Sequence, residues 1–376
     1  MSLDLGFGVS ARIELTQGDL DPSSSSFIDV SQMIGRGKPP LLEPLYGYVQ
    51  EGDVLHHPMM REILVEWLDS VDFIKNPSRA LAALNFAFHF CTFVVFIIFV
   101  DQFASLTNLL FVLLSVCFLG TVYNTVWYHR FCSYAAFLFS SDYYPLLFLW
   151  TNPIVFREES YAVPHRIHHG RPDQAGDPYG PHLGWLGSYL AIESTQKLNT
   201  DISEREYESL RQSVEHIGFK THAYLDFKKT ASVEDIRYYL LRVLFAQFFW
   251  SSIIFILGEQ QLLVAWYASV FVITFMIRDF NWRGHGGSFR SKKKPGWDFD
   301  SRSRALNQRF YGLLAAEWHD NDNHHRYPMS ANSGFLPGQI DLAFQIIKFL
   351  ALVGIVDSYF DAVDKFKKEV SSATAS

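Results

Sequence analysis

The 376-residue chain is 49% hydrophobic and 16% aromatic but only 19% charged, a balance that points to apolar surface facing lipid. A net charge of −7 excludes a dominant basic face of the kind that holds nucleic acid. Three cysteines, Cys91, Cys117 and Cys132, are too few and too scattered for a disulfide framework, a Cys-ligated iron–sulfur cluster or a zinc ribbon.

Residues 1–45 are punctuated by Ser, Gly and Pro, with the run SSSS at 23–26, and read as a mobile segment. Residues 46–79 read as a cytosolic or interfacial lead-in. No signal peptide is expected, because the first long apolar run begins near Ala80. Residues 80–100 and 102–128 contain no Asp, Glu, Lys or Arg, and each is long enough to cross a hydrocarbon core about 30 Å thick. Asp101 marks the tip between them. Residues 131–156 are apolar but interrupted by Asp142 and Pro145, so they predict helices lying in the interface, with a re-entrant segment as the weaker alternative. A second pair of spans, 243–258 and 260–277, flanks Glu259; the first extends backwards through YYLLR, with Arg242 expected to snorkel. Residues 357–376, ending SSATAS, read as a tail. The sequence therefore predicts an all-α, integral-membrane, multi-pass protein with four spans in two tight hairpins.

Charge predicts orientation. Neither tip carries Lys or Arg, whereas Lys75, Arg79, Arg130, Arg157, Arg166, Arg171, Arg278, Arg283, Arg290 and Lys292 to Lys294 all lie at the opposite ends, which places those ends in the cytoplasm.

Fourteen histidines are present, and eight gather beside the predicted span ends. His129 follows the second span. His165, His168 and His169 stand at i, i+3 and i+4 in HRIHH. Asn281 and His285 follow the fourth span at i, i+4. His319, His324 and His325 lie in EWHDNDNHHRYP, where the first stands five residues before the second, about 140° away around a helix. A lone histidine at a span end is usually an interfacial anchor, and His89, inside a span, reads as hydrogen-bonded core. Four groups on one side of a membrane argue for each other as metal ligands. Imidazole suits Zn, Cu, Fe and Ni, and eight imidazoles suit two ions better than one structural zinc. Asp173, Asp177, Asp320 and Asp322 are candidates to orient those imidazoles.

These residues resemble the integral-membrane fatty-acid desaturases, most of all the bacterial acyl-CoA type. The likeness runs from about residue 80 to 356 and is carried by YHRFCSY, HRIHH with DQAGDPYGPHLGWL, NWRGHGG, GWDFDSRSRALNQRFYG and EWHDNDNHHRYPMSANSGFLPGQIDLAF. The resemblance implies a four-span bundle with a cytosolic helical cap carrying histidine boxes that hold two iron ions, in a bacterial inner membrane or the endoplasmic reticulum. It assigns as ligands His129, His165, His168, His169, Asn281 through a water, His285, His319, His324 and His325. Two departures stand out. Tyr134 replaces the second histidine of the first box, where a packing or hydrogen-bonding role is favoured over ligation. The last box reads WHDNDNHH, as though one Asp-Asn pair were duplicated, so that His319 ligates through a bulge or Asp320, Asn321 or Asp322 takes its place.

The resemblance implies oxygen-dependent insertion of a double bond into a CoA-linked or lipid-linked acyl chain. His182 and Trp185 are candidates to border the substrate tunnel. Molecular oxygen is the co-substrate, membrane lipid the surroundings, and nucleic acid is not a partner. Electrons are expected from a separate cytochrome b5-like or ferredoxin-like donor with its reductase, because the chain has no haem-binding HPGG segment, no Cys-rich loop and no dinucleotide fingerprint. The altered ligand set keeps two alternatives open: a hydroxylase or oxidative lyase on a lipid chain, and a catalytically degenerate homologue.

Overall fold

The computed structural model describes residues 38–42, 50–51, 54–55, 57–174, 176–285, 320–335 and 339–374. The expected mobile segment 1–45 falls almost wholly outside them, as do His319 and the side chains of Asp320, Asn321 and Asp322.

The described chain is mostly helical, and three of its helical rods are long and apolar enough to cross a membrane. Helix α1 (Met60–Val71) leads through a single 3-10 turn at Pro77–Arg79 into α2 (Ala80–Ile98). A π-helical turn at Phe99–Phe103 closes the first rod around Asp101. The Ser105 hydroxyl then caps α3 (Leu106–Phe118) by accepting from Asn108 N–H. From Leu119 to Cys132 the rod continues in wider π-helical turns, as in the 3.1 Å bond from Ser133 N–H to the Tyr128 carbonyl.

The third rod, α9 (Ile236–Gly284), is broken where the sequence predicted a hairpin tip. Gly258 is extended and Glu259 takes φ 53°, ψ −148°. Ser251 Oγ lies 2.8 Å from the Tyr267 hydroxyl, and Trp250 stacks on Trp266 at 5.0 Å. Residues sixteen apart on one straight helix would be separated by about 24 Å, so these contacts require the two arms to run back along each other. Phe99, near the first tip, packs with Ala265 and Ala268 just beyond the second, so both tips lie at one end of the bundle. Outward faces of the rods are apolar, with Phe90, Leu110, Leu114, Phe248 and Ile256 all exposed.

The structure departs from the all-α expectation in two places. Gln50–Glu51 (β1) pairs with Val54–Leu55 (β2), and Phe137–Phe139 (β3) pairs antiparallel with Val356–Tyr359 (β4). Within 131–156, therefore, only α4 (Tyr143–Thr151) is a new helix. Pro145 stands in its first turn, where a missing N–H costs nothing, so it starts this helix and does not interrupt it. The expected tail contains β4 and α12 (Val363–Thr374), which docks Phe366 against Tyr327 and Phe335 and pairs Glu369 with Arg326 at 3.0 Å.

Arg242 does not snorkel. It is buried, and its guanidinium bonds Glu234 Oε1 at 2.6 Å and also reaches Glu158. Those two carboxylates, one before α9 and one opening α5 (Glu158–Gly170), offset the desolvation of a charge that water would otherwise have to reach. Two further buried pairs tie the elements around the site together: Arg130 with Asp341 at 2.7 Å, and Arg278 with Glu193 at 2.5 Å.

Candidate metal centre

His129 stands near the end of the second rod and His285 directly follows the end of α9, both far from the tips. Helix α5 brings His165, His168 and His169 between them. A short helix, α10 (Asp320–Arg326), adds His324 and His325. It is anchored by Asn323, whose amide donates to the Ser333 carbonyl at 2.6 Å, and followed by α11 (Leu342–Leu352), whose cap Asp341 is the partner of Arg130.

Among the described residues, seven imidazoles meet in two groups. His129, His165, His169 and His324 form one, and His168, His285 and His325 the other; within each, the donor atoms lie within 4.8 Å of one another. Helix geometry explains the division. His165 and His169 differ by about 40° around α5 and share a target, whereas His168 turns about 100° away from His169. Adjacent His324 and His325 likewise diverge, one to each group. The groups touch, with His169 stacked on His325 at 4.1 Å.

The outer contacts fix which nitrogens face inward. Asp177 Oδ1 accepts from His168 Nδ1 at 2.9 Å, and Asp173 Oδ1 accepts from His285 Nδ1 at 3.1 Å. With each Nδ1 bonded to a carboxylate, the two Nε2 atoms turn towards each other and stand 3.0 Å apart, close enough for one ion to take both. Across the other group, His129 Nε2 and His324 Nε2 stand 2.7 Å apart. Among the described residues, His165 Nε2 and both ring nitrogens of His169 and His325 are buried without a hydrogen-bond partner. Burial, and then the neighbouring imidazoles, hold His165, His169, His324 and His325 well below the ordinary imidazole pKa, so they are neutral and keep their lone pairs at neutral pH. Neutral imidazoles converging on two points, braced from behind by carboxylates, fit two divalent transition-metal ions.

Of the four proposed orienting carboxylates, Asp173 and Asp177 take that role. Sequence reasoning missed Tyr179, whose hydroxyl lies 2.6 Å from His165 Nδ1. Its backbone N–H bonds Asp177 Oδ1 at 3.1 Å, so one tight loop after α5 braces both groups. The signal was its place in DQAGDPYG, two residues after Asp177. Asn281 is half-buried, one turn before His285.

A narrow cleft of about 30 Å³ lies beside the four-histidine group. Tyr161, in its wall, packs on His165 at 5.5 Å and on Tyr128 at 5.2 Å. Phe88, Ile154, Val155, Phe156 and Ile277 line it with apolar surface. Two of its polar members are already engaged: His89 bonds Thr274 Oγ1 at 3.1 Å and the Tyr189 hydroxyl at 2.5 Å, and Arg278 holds Glu193. His182 and Trp185 are not among its lining residues. Trp185 Nε1, on α6 (Gly184–Ser194), donates to Asp279 Oδ1 at 2.7 Å, and the His182 carbonyl accepts from His57 Nδ1 at 2.8 Å.

The chain matches no protein-family model and no curated protein.

Proposed function

We propose that this chain is a four-span membrane desaturase that inserts a double bond into a fatty-acyl chain, holding two iron ions on the cytoplasmic face. The observation that carries the reading is the approach of His168 Nε2 and His285 Nε2 to 3.0 Å, with their Nδ1 atoms bonded to Asp177 and Asp173. Seven inward-facing imidazoles and no described carboxylate among the converging donors leave the charge of two divalent ions largely unneutralised. When bound, iron supplies the activation of dioxygen that removes hydrogens from two adjacent methylenes.

The protein's own residues do the rest. Asp173, Asp177 and Tyr179 hold the rings of His285, His168 and His165 in place, so that part of the ligand set is oriented before metal arrives. The cleft offers apolar wall and spent polar groups, which accept a hydrocarbon chain and exclude water from the reacting carbons. Tyr128 and Tyr161 form the step between cleft and imidazoles. Electrons come from a separate cytochrome b5-like or ferredoxin-like donor. Oxygen and a CoA-linked or lipid-linked acyl chain are the substrates.

Expression in a host with saturated acyl chains, followed by mass analysis of the extracted lipids, tests this. A monounsaturated species that appears with the native chain and not with His169→Ala supports it. Hydroxylated chains would assign the site to oxygen insertion, and unchanged lipids from iron-loaded protein would refute it.

A further inference from the structure

Tyr134 stands where the resemblance to the desaturases places the second histidine of the first box. Its ring lies edge-on to every member of the four-histidine group, with centroids 6.4 Å from His129, 5.6 Å from His165, 5.4 Å from His169 and 5.3 Å from His324. Among the described residues those four imidazoles are its ring neighbours. The residue is 91% buried, and its hydroxyl has no hydrogen-bond partner among the described residues. A residue placed there only to fill space would be better as phenylalanine, which packs the same surface without stranding a polar group.

The backbone on either side is clamped. Ala135 N–H bonds the Phe131 carbonyl at 2.8 Å and Ala136 N–H bonds the Arg130 carbonyl at 2.9 Å. Arg166 donates to the Cys132 and Ser133 carbonyls, and His216 Nε2 donates to the Phe131 and Cys132 carbonyls. Ala135 takes φ 46°, a left-handed conformation unfavourable for alanine and sustained here by those bonds. The fold thus spends strain to fix the direction of Tyr134.

We propose that the Tyr134 hydroxyl oxygen is a fifth protein ligand to the ion held by His129, His165, His169 and His324. The inference rests on the metal-centre reading above and adds to it a difference between the two ions: one held by four nitrogens and an anionic oxygen, the other, among the described residues, by the nitrogens of His168, His285 and His325. On binding, a metal–oxygen bond replaces the O–H bond and the proton passes to the buffer, with no electrons moved. A hard, anionic oxygen favours the ferric state of that ion over its partner.

The test is optical. The purified full chain is loaded with ferrous iron, oxidised to the ferric form, and measured by visible absorption and by resonance Raman, with iron counted per chain in the same sample. The expected result is a phenolate-to-iron(III) charge-transfer band with phenolate Raman modes. Tyr134→Phe loses both while keeping its iron, and Tyr134→His, which supplies an imidazole in case phenylalanine misfolds, also keeps its iron without the band. Two irons per native chain without the band, or a band that survives in Tyr134→Phe, overturns the ligation and leaves the proposed function standing. A chain that takes up no iron overturns both.

Discussion

Replacing Asp177 by asparagine keeps the shape of the side chain and removes its charge. Asp177 Oδ1 accepts from His168 Nδ1 and Tyr179 N–H, and Oδ2 accepts from Asp173 N–H at 2.7 Å. Asparagine has one oxygen for these donors, so its amide N–H groups must face the Asp173 N–H. That repulsion displaces Asp173, which itself holds His285. Within the His168, His285, His325 group, His285 therefore loses its brace, while His168 keeps a neutral acceptor in place of a charged one. Loss of such an outer contact costs about 10- to 100-fold in metal affinity, or about 1.4–2.8 kcal/mol. The reciprocal change is Tyr179→Phe, which frees His165 in the four-histidine group and leaves Asp177 untouched. Metal titration followed by calorimetry reads both sites. Asp177→Asn is expected to weaken one equivalent and Tyr179→Phe the other. Equal weakening of both equivalents by either variant, or no effect from Asp177→Asn, would refute the division of the histidines into two sites.

Three other outcomes follow. Arg242→Met leaves Glu158 and Glu234 buried without their cation and is expected to cost about 3–5 kcal/mol, read as a lowered melting temperature in detergent; an unchanged melt would show the pair to be dispensable. The metal-free protein is expected to lose stability as pH falls below the unfolded imidazole value near 6.5, because His165, His169, His324 and His325 are held well below it and His216 down to about 3 by burial, so the unfolded chain binds more protons. Burial raises Glu159, and Glu234 to about 7, which opposes this above pH 4.5, but five imidazoles outnumber two carboxyls; His216→Gln should flatten the profile, and stability that rises on acidification contradicts the reasoning. Single cysteines at Asp101 and Glu259 should react with a membrane-impermeant reagent from one side and a cysteine at exposed Lys220 from the other, whereas labelling of all three from one side would refute the proposed topology.

The rods and both tips were legible because uncharged runs of span length are rare and Asp101 and Glu259 interrupt them. The histidines were legible through their spacing, yet their division was not, since HxxHH does not say which neighbours α5 meets until α10 docks against it. Tyr179 and the β3–β4 pairing escaped for a related reason. Each depends on a partner fixed by tertiary packing, the first on His165 across a tight loop and the second on a strand more than two hundred residues away. Arg242 was misread because an arginine near a span end commonly reaches water, and only the fold brings Glu158 and Glu234 to it.

Iron stoichiometry on protein produced with iron supplied tests whether these histidines build a centre for two irons. Two irons per chain are expected, falling to one when His168, His285 and His325 are replaced together by alanine. A native chain holding fewer than one iron, or two irons undiminished by that triple replacement, would contradict it.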